Sequence, residues 1–181
     1  MALGIGRRAV LVEADKGFPI QGLSIPWDLY WVLRSPAPLA GMKLPEGTWP
    51  WSAIHAAGFL DLVSLHPCSH DPSPLSRIFA GHLEDLVHRD PPKDPSREEG
   101  LIRTAVRAIL LSLRSGRGVV THCWGGRGRT GTVLGCVLRE LRYDADTAVS
   151  YLHRIHVARG KEGWPESEWQ GDLVRRWKPD A

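Results

Sequence analysis

The sequence predicts an α/β fold, a central mixed, mostly parallel sheet flanked by helices, with an anion-binding loop between a central strand and a helix. Three observations carry this reading. Apolar runs of strand length alternate along the chain with longer runs of helical period, the order that feeds strands into crossover helices. Val119-Val120-Thr121-His122-Cys123 reads as a buried strand, Trp124 to Gly128 as a glycine-rich loop, and Arg129 to Leu141 as an amphipathic helix. The stretch from about Ser96 to Leu113 places Ile102, Ala105, Val106, Ile109, Leu110 and Leu113 on one face, the pattern of a helix lying on a sheet.

Taken in order, Ala9 to Glu13 and Trp27 to Leu33 are strand candidates. Ser35-Pro36-Ala37-Pro38 and Leu44 to Pro50 break the pattern and predict a long, proline-fixed surface loop. Ser52 to Ala57 is a short helix closed by Gly58, and Leu60 to Leu65 a strand that stops before Pro67. Beyond the glycine-rich loop, Val133, Leu134, Val137, Leu138 and Leu141 form the buried side of the following helix. Another helix starts at Tyr143 to Asp146 and runs to about Ala158, with Ala148, Tyr151, Leu152 and Ile155 inward, and a last one ends near Trp177. The expected organisation is a single domain, 1–181, with a loop-rich part over 1–50 and a core over 51–181.

At 181 residues and 43% hydrophobic, the chain is long enough to bury one sizeable core. A net charge of +3 without any Lys/Arg block suits an anionic substrate and excludes a nucleic-acid stripe. No uninterrupted apolar segment approaches the ~20 residues of a membrane span, and Met1 to Arg8 has no long apolar core behind its charges, so no stable membrane insertion and a cytoplasmic location are expected. Three cysteines, Cys68, Cys123 and Cys136, are odd in number and sparse, which fits a reducing compartment. The oligomeric state is left open.

The chemistry concentrates at the loop. Gly125, Gly126 and Gly128 let successive backbone N–H groups turn inward, and the helix start adds its positive dipole end, so Trp124 to Arg129 are built to cradle a phosphate-like oxyanion. Converging N–H groups and the Arg129 guanidinium favour the thiolate form of Cys123, which opens the loop. Two other clusters compete for attention. His66-x-Cys68-x-His70-Asp71 has zinc-ligand types, but its spacing departs from structural sites and no second ligand pair follows, so neither metal nor cofactor is expected. In His88 to Glu99, Asp94 or Ser96 can cap the following helix, which leaves one of the two aspartates, Asp90 or Asp94, without a structural duty.

His122-Cys123-x5-Arg129-Thr130-Gly131, with Gly126 inside the loop, resembles the signature of the cysteine-dependent protein tyrosine phosphatase superfamily, in its small dual-specificity-like branch. The resemblance is strong over 118–142, extends back to about 51, and implies a phosphatase P-loop between the central strand and a helix. It implies that Cys123 is the nucleophile and forms a thiophosphate, that Arg129 grips two phosphoryl oxygens, that Thr130 donates to the Cys123 sulfur and that His122 orients the loop. It also implies an aspartate acid on a loop some thirty residues before the cysteine. Asp90 lies 33 positions before it and Asp94 lies 29; Asp94 is the better helix cap, so Asp90 is preferred, with Asp85 a more distant third. Gln170, 47 positions after Cys123, falls where some relatives position water, and reads equally as an exposed helix-start residue. Cys68 resembles a resolving cysteine that forms a reversible disulfide with the nucleophile, and reads otherwise as simply buried. Trp49, Trp51, Trp164 and Trp169 either pack in the core or line the mouth.

The expected substrate is a phosphorylated protein or small anionic phosphomonoester. A protein tyrosine or dual-specificity phosphatase comes first, since an aromatic Trp124 suits a phosphotyrosine ring. A phosphoinositide or other non-protein phosphomonoester comes second, because Arg127 is basic. A catalytically silent phosphate-binding module is the alternative of another class, opposed by the presence of Cys123, Arg129 and Thr130 together.

Overall fold

A computed structural model describes residues 9–180. The expectations about Met1 to Arg8 therefore lie outside the described residues. In chain order the elements are β1 (Val10–Leu11), β2 (Leu29–Ser35), β3 (Leu39–Met42), α1 (Trp51–Ala56), β4 (Phe59–Ser64), β5 (Ser76–Ala80), α2 (Pro95–Arg114), β6 (Gly118–His122), α3 (Gly128–Glu140), α4 (Ala145–Ala158) and α5 (Glu168–Arg176). The strands form one sheet in the order β1-β2-β3-β6-β4-β5. The β1/β2 and β2/β3 pairs are antiparallel, whereas β3/β6, β6/β4 and β4/β5 are parallel, so the sheet is mixed and mostly parallel as the sequence predicts.

Strand β6 lies inside the sheet and is buried along its whole length. Its alternate side chains feed two cores: Val119 packs with the apolar faces of α2, α3, α4 and α5, and Val120 packs with α1 and with Val12 and Ile20. Burial on both faces is why the central strands read as nearly continuous apolar runs rather than as an alternation. Among the described residues no helix is long and apolar enough to cross a membrane.

Two strands correct the sequence reading. The stretch expected as a surface loop holds β3, whose four residues are all buried and which pairs in parallel with β6 from Leu39↔Val119 to Met42↔His122. Leu39-Ala40-Gly41-Met42 is too short to show a period, and prolines flank it, so pattern alone reads it as loop. Strand β5, inside the His-, Asp- and Pro-dense segment, forms the sheet edge beside β4; it is mostly exposed, and Ser76-Arg77-Ile78-Phe79-Ala80 shows no polar–apolar alternation to mark it.

Helix α3 is buried from Gly128 to Leu138 and is the scaffold of the loop that precedes it. Its glycines let neighbours approach. A Cβ on Gly131 would lie 2.5 Å from Trp164 Nε1, and one on Gly135 would lie 2.7 Å from Val174 Cγ2 and 3.1 Å from Leu152 Cδ1. Gly135→Val should therefore overpack the α3–α4–α5 contact and lower stability by about 1–3 kcal/mol. Chemical unfolding of the purified variant measures this, and an unchanged midpoint would contradict the packing described.

Candidate active site

The loop from Cys123 to Arg127 joins β6 to α3 at the carboxyl end of the parallel strands, where α/β sheets bind ligands. Cys123 is buried and is a free thiol. Gly126 has φ +67°, and a Cβ there would collide with the carbonyl of Met42, so the end of β3 forms the floor on which the loop is folded. Leu44 N donates to Trp124 O at 2.8 Å and ties the residue after Cys123 to the same segment.

Amides that turn toward a bound anion turn their carbonyls into the protein, and those carbonyls need donors. Tyr30 OH donates to Gly126 O at 2.8 Å. Arg159, 1% exposed, donates to Gly126 O at 3.0 Å and to Gly125 O at 3.2 Å, and it also donates to the carbonyls of Pro26 and Trp27. Its guanidinium lies 4.6 Å over the Tyr30 ring. At the helix start, Trp164 Nε1 and Thr132 Oγ1 both donate to Gly128 O. Trp164 is thus core. Trp51 is also buried and Trp49 and Trp169 are half-buried, while the exposed tryptophan of the loop is Trp124, edge-on to His66 at 5.6 Å.

His122 uses both ring nitrogens. Nδ1–H donates to Cys123 O at 3.1 Å, which leaves Nε2 to accept from Ser64 Oγ at 2.9 Å. Burial pushes this imidazole down to about 4, with the Cys123 hydrogen bond only partly opposing the shift. Thr130 Oγ1 is buried and has no hydrogen-bond partner among the described residues.

Arg129, 7% exposed, is held on the opposite side. Its Nη2 donates to Asp85 Oδ2 at 2.9 Å, and its Nη1 lies 3.3 Å from His66 Nδ1 and 3.4 Å from Leu83 O. Asp85 is placed by its neighbour: Glu84 N donates to the buried carboxylate of Glu98 at 2.8 Å. Asp85 also accepts from Val87 N at 3.1 Å, and the two aspartates preferred from spacing accept from backbone amides elsewhere. Asp90 accepts from the amides of Glu168 and Trp169 at 3.0 and 3.2 Å, at the first turn of α5, and Asp94 caps α2 by accepting from Arg97 N at 3.0 Å. Asp85, third by spacing, is the aspartate that the turn after β5 brings to Arg129.

Gln170 is buried rather than exposed. It closes a capping box with Ser167, its Oε1 accepting from the amides of Glu166 and Ser167, and its Nε2 lies beside Gly128. Arg127 turns away from the loop's centre, Nε donating to Gly163 O at 2.6 Å and Nη1 standing 3.7 Å from Glu166 Oε1. His66, Cys68 and His70 do not converge as metal ligands: His66 rests on Arg129 and Cys68 Sγ lies 3.3 Å from His70 Nδ1. Among the described residues no group of three His, Cys, Asp or Glu is arranged to hold a metal ion.

One consequence concerns pH. The folded chain keeps His122 neutral, while the unfolded chain takes up its proton below about pH 6.5. This imidazole's contribution to stability is complete above that pH and is lost as pH falls toward 4. His122→Gln should therefore lose less stability than the unsubstituted protein between pH 7 and pH 5, each compared with its own value at pH 7 by urea unfolding. Parallel losses would contradict the buried neutral state.

The family described as "Tc-R-P: Polymorphic toxin system, DSP-PTPase phosphatase" matches residues 79–141, which include Asp85, β6, the loop and α3. No curated protein sequence matches the chain. Among solved structures, TpbA from P. aeruginosa in complex with pTyr is 17% identical with a TM-score of 0.56, covering 87% of this chain and 88% of that one. Kinase associated phosphatase is 14% identical with a TM-score of 0.54, covering 76% and 83%. PTPMT1 in complex with PI(5)P is 11% identical with a TM-score of 0.57, covering 77% and 88%. At these identities the likeness is one of fold, and the family match supplies the link to the signature at Cys123 and Arg129. The stretch that carries the signature at Cys123 and Arg129 is thus similar to a family of DSP-PTPase phosphatases, and the fold as a whole is similar to those of TpbA and kinase associated phosphatase.

Proposed function

We propose that the protein hydrolyses phosphomonoesters through a cysteinyl-phosphate on Cys123, acting first as a protein tyrosine or dual-specificity phosphatase. The observation that carries this reading is the meeting, at one loop, of a buried cysteine, a helix N-terminus, Arg129 and an opposed aspartate. The Cys123 thiolate attacks phosphorus in line, and the loop amides with Arg129 stabilise the charge that spreads over the equatorial oxygens. The P–O bond to the leaving group breaks as the S–P bond forms. In the second step water attacks phosphorus, the S–P bond breaks, and the free hydroxyl of Thr130 donates to the departing sulfur. His122 holds the loop through its two hydrogen bonds. Gln170, with Nε2 left over from the capping box, is the residue we assign to hold the attacking water.

The general acid in this reading is Asp85. In the unliganded site it pairs with Arg129. An incoming phosphoryl group competes for that guanidinium and frees the Asp85 carboxyl to face the leaving oxygen, to which it donates its proton. The resulting carboxylate then accepts the proton of the attacking water. Asp90 and Asp94, each accepting from helix-start amides, are stabilising caps.

The exposed Trp124 beside His66 offers an aromatic wall to an aryl ring, and TpbA, similar in fold, is described in complex with pTyr. Arg127 favours the second reading, a phosphoinositide phosphatase, as does the fold likeness to PTPMT1 described with PI(5)P. Hydrolysis of an aryl phosphate without added metal tests the common core. Cys123→Ser should lower turnover by about 10³-fold or more while still binding phosphate; turnover that survives the substitution would sink the mechanism. Asp85→Asn should lower kcat by about 10²–10³-fold with poor leaving groups, less with good ones, and remove the basic limb of the pH–rate profile. Asp90→Asn should cost about 0.5–2 kcal/mol of stability and leave that limb in place. The reverse pattern would return the acid to Asp90.

A further inference from the structure

The loop carries two side-chain cations. Arg129 faces the approach of the phosphoryl group, so a second anionic group on a substrate would have to be met by Arg127. That guanidinium is already engaged: Nε donates to Gly163 O at 2.6 Å, Nη1 lies 3.7 Å from Glu166 Oε1 and Nη2 lies 4.0 Å from Glu162 Oε2. Of the two carboxylates Glu162 is exposed, whereas the Glu166 side chain is only 16% exposed. Glu166 also lies against the helix start, where a Cβ on Gly128 would collide with its Oε2.

Glu166 is held there by backbone and not only by the arginine. Its amide donates to Gln170 Oε1 at 3.1 Å, the next amide donates to the same oxygen at 3.3 Å, and Ser167 Oγ accepts from Gln170 N at 3.4 Å. With the backbone so held, the carboxylate lies beside the loop, between Arg127 and the start of α3. Burial, opposed by Arg127, raises its carboxyl above the ordinary glutamate value, as expected for an acid held partly out of water. Lys43, anchored by the segment that donates to Trp124 O, is likewise committed, to Asp28 at 3.1 Å and Glu46 at 3.7 Å.

We propose that Glu166 is a specificity-determining residue: it neutralises Arg127 and restricts the site to phosphomonoesters that carry no second anionic group near the reacting phosphate. The inference rests on the phosphatase reading above and favours its protein tyrosine branch over its phosphoinositide branch. An aryl phosphate presents one dianion to Arg129 and the loop amides and meets no charge at Glu166. A vicinal bisphosphate meets a carboxylate where it needs a cation.

The test compares phosphotyrosine with inositol 4,5-bisphosphate as substrates and takes the ratio of their kcat/KM values. Glu166→Gln keeps the hydrogen-bonding shape and removes the charge; the ratio should move about tenfold toward the bisphosphate. In Glu166→Gln/Arg127→Ala that gain should vanish, and Arg127→Ala alone, which leaves the Glu166 carboxylate uncompensated, should move the ratio further from the bisphosphate. The same ratio, read as affinities of the two compounds in a Cys123→Ser background, covers a substrate that binds without turning over. A ratio unmoved by Glu166→Gln overturns the proposal, as does a bisphosphate preference in the unsubstituted protein that Arg127→Ala abolishes. Failure of the unsubstituted protein to hydrolyse any phosphomonoester would instead sink the phosphatase reading, with the binding ratio still deciding the role of Glu166.

Discussion

A loop that offers its amides to an anion must bury its carbonyls, and the rest of this molecule is arranged around supplying donors to them. Gly125 O and Gly126 O receive Arg159 from the end of α4, and Gly126 O also receives Tyr30 from β2. Gly128 O receives Trp164 and Thr132. A buried guanidinium without a carboxylate partner in its hydrogen bonds would be costly elsewhere in a fold. Here its charge is spread over backbone oxygens and the face of Tyr30, and it sits behind the loop that opens with Cys123. The architecture thus presents positive potential from three directions at once: the start of α3, Arg129 in front and Arg159 behind.

The opposite wall follows a different logic. Strand β5 and the turn after it bring Leu83 and Asp85 to Arg129, and Glu98 of α2 fixes that turn through the amide of Glu84. The negative groups of the site are therefore graded by exposure. Glu98 and Glu166 are withdrawn from solvent, whereas the Asp85 side chain is 55% exposed, paired with Arg129 and accepting from Val87 N at 3.1 Å.

How much of this was legible in the sequence depends on whether the signal was local. The nucleophile, the arginine, the threonine and the histidine lie within nine residues, and their spacing alone identifies the loop and the helix behind it. Strands β2, β4 and β6 were legible as apolar runs. Strand β3 was not, since four residues between prolines show no period, and with it went the reason Gly126 must be glycine: the carbonyl of Met42 presses on it. Asp85 ranked third because counting back from Cys123 favours Asp90 and Asp94, and only the tertiary structure shows that it is Asp85 that reaches Arg129. Arg159 and Glu166 carry no sequence signal at all. An arginine after a helix and a glutamate before a capping box are ordinary surface residues until tertiary contacts bury them.

The double engagement of Gly126 O has a consequence for how the molecule assembles. Its two donors lie 96 residues before it and 33 residues after it in the chain. Neither contact is local, so the loop cannot take up its anion-binding shape when β6 and α3 first form; it must wait for β2 to enter the sheet and for the end of α4 to dock. The proposed competence to hold phosphate is therefore a late property of the folding chain, and a partly folded molecule carries Cys123 without the loop shape that surrounds it.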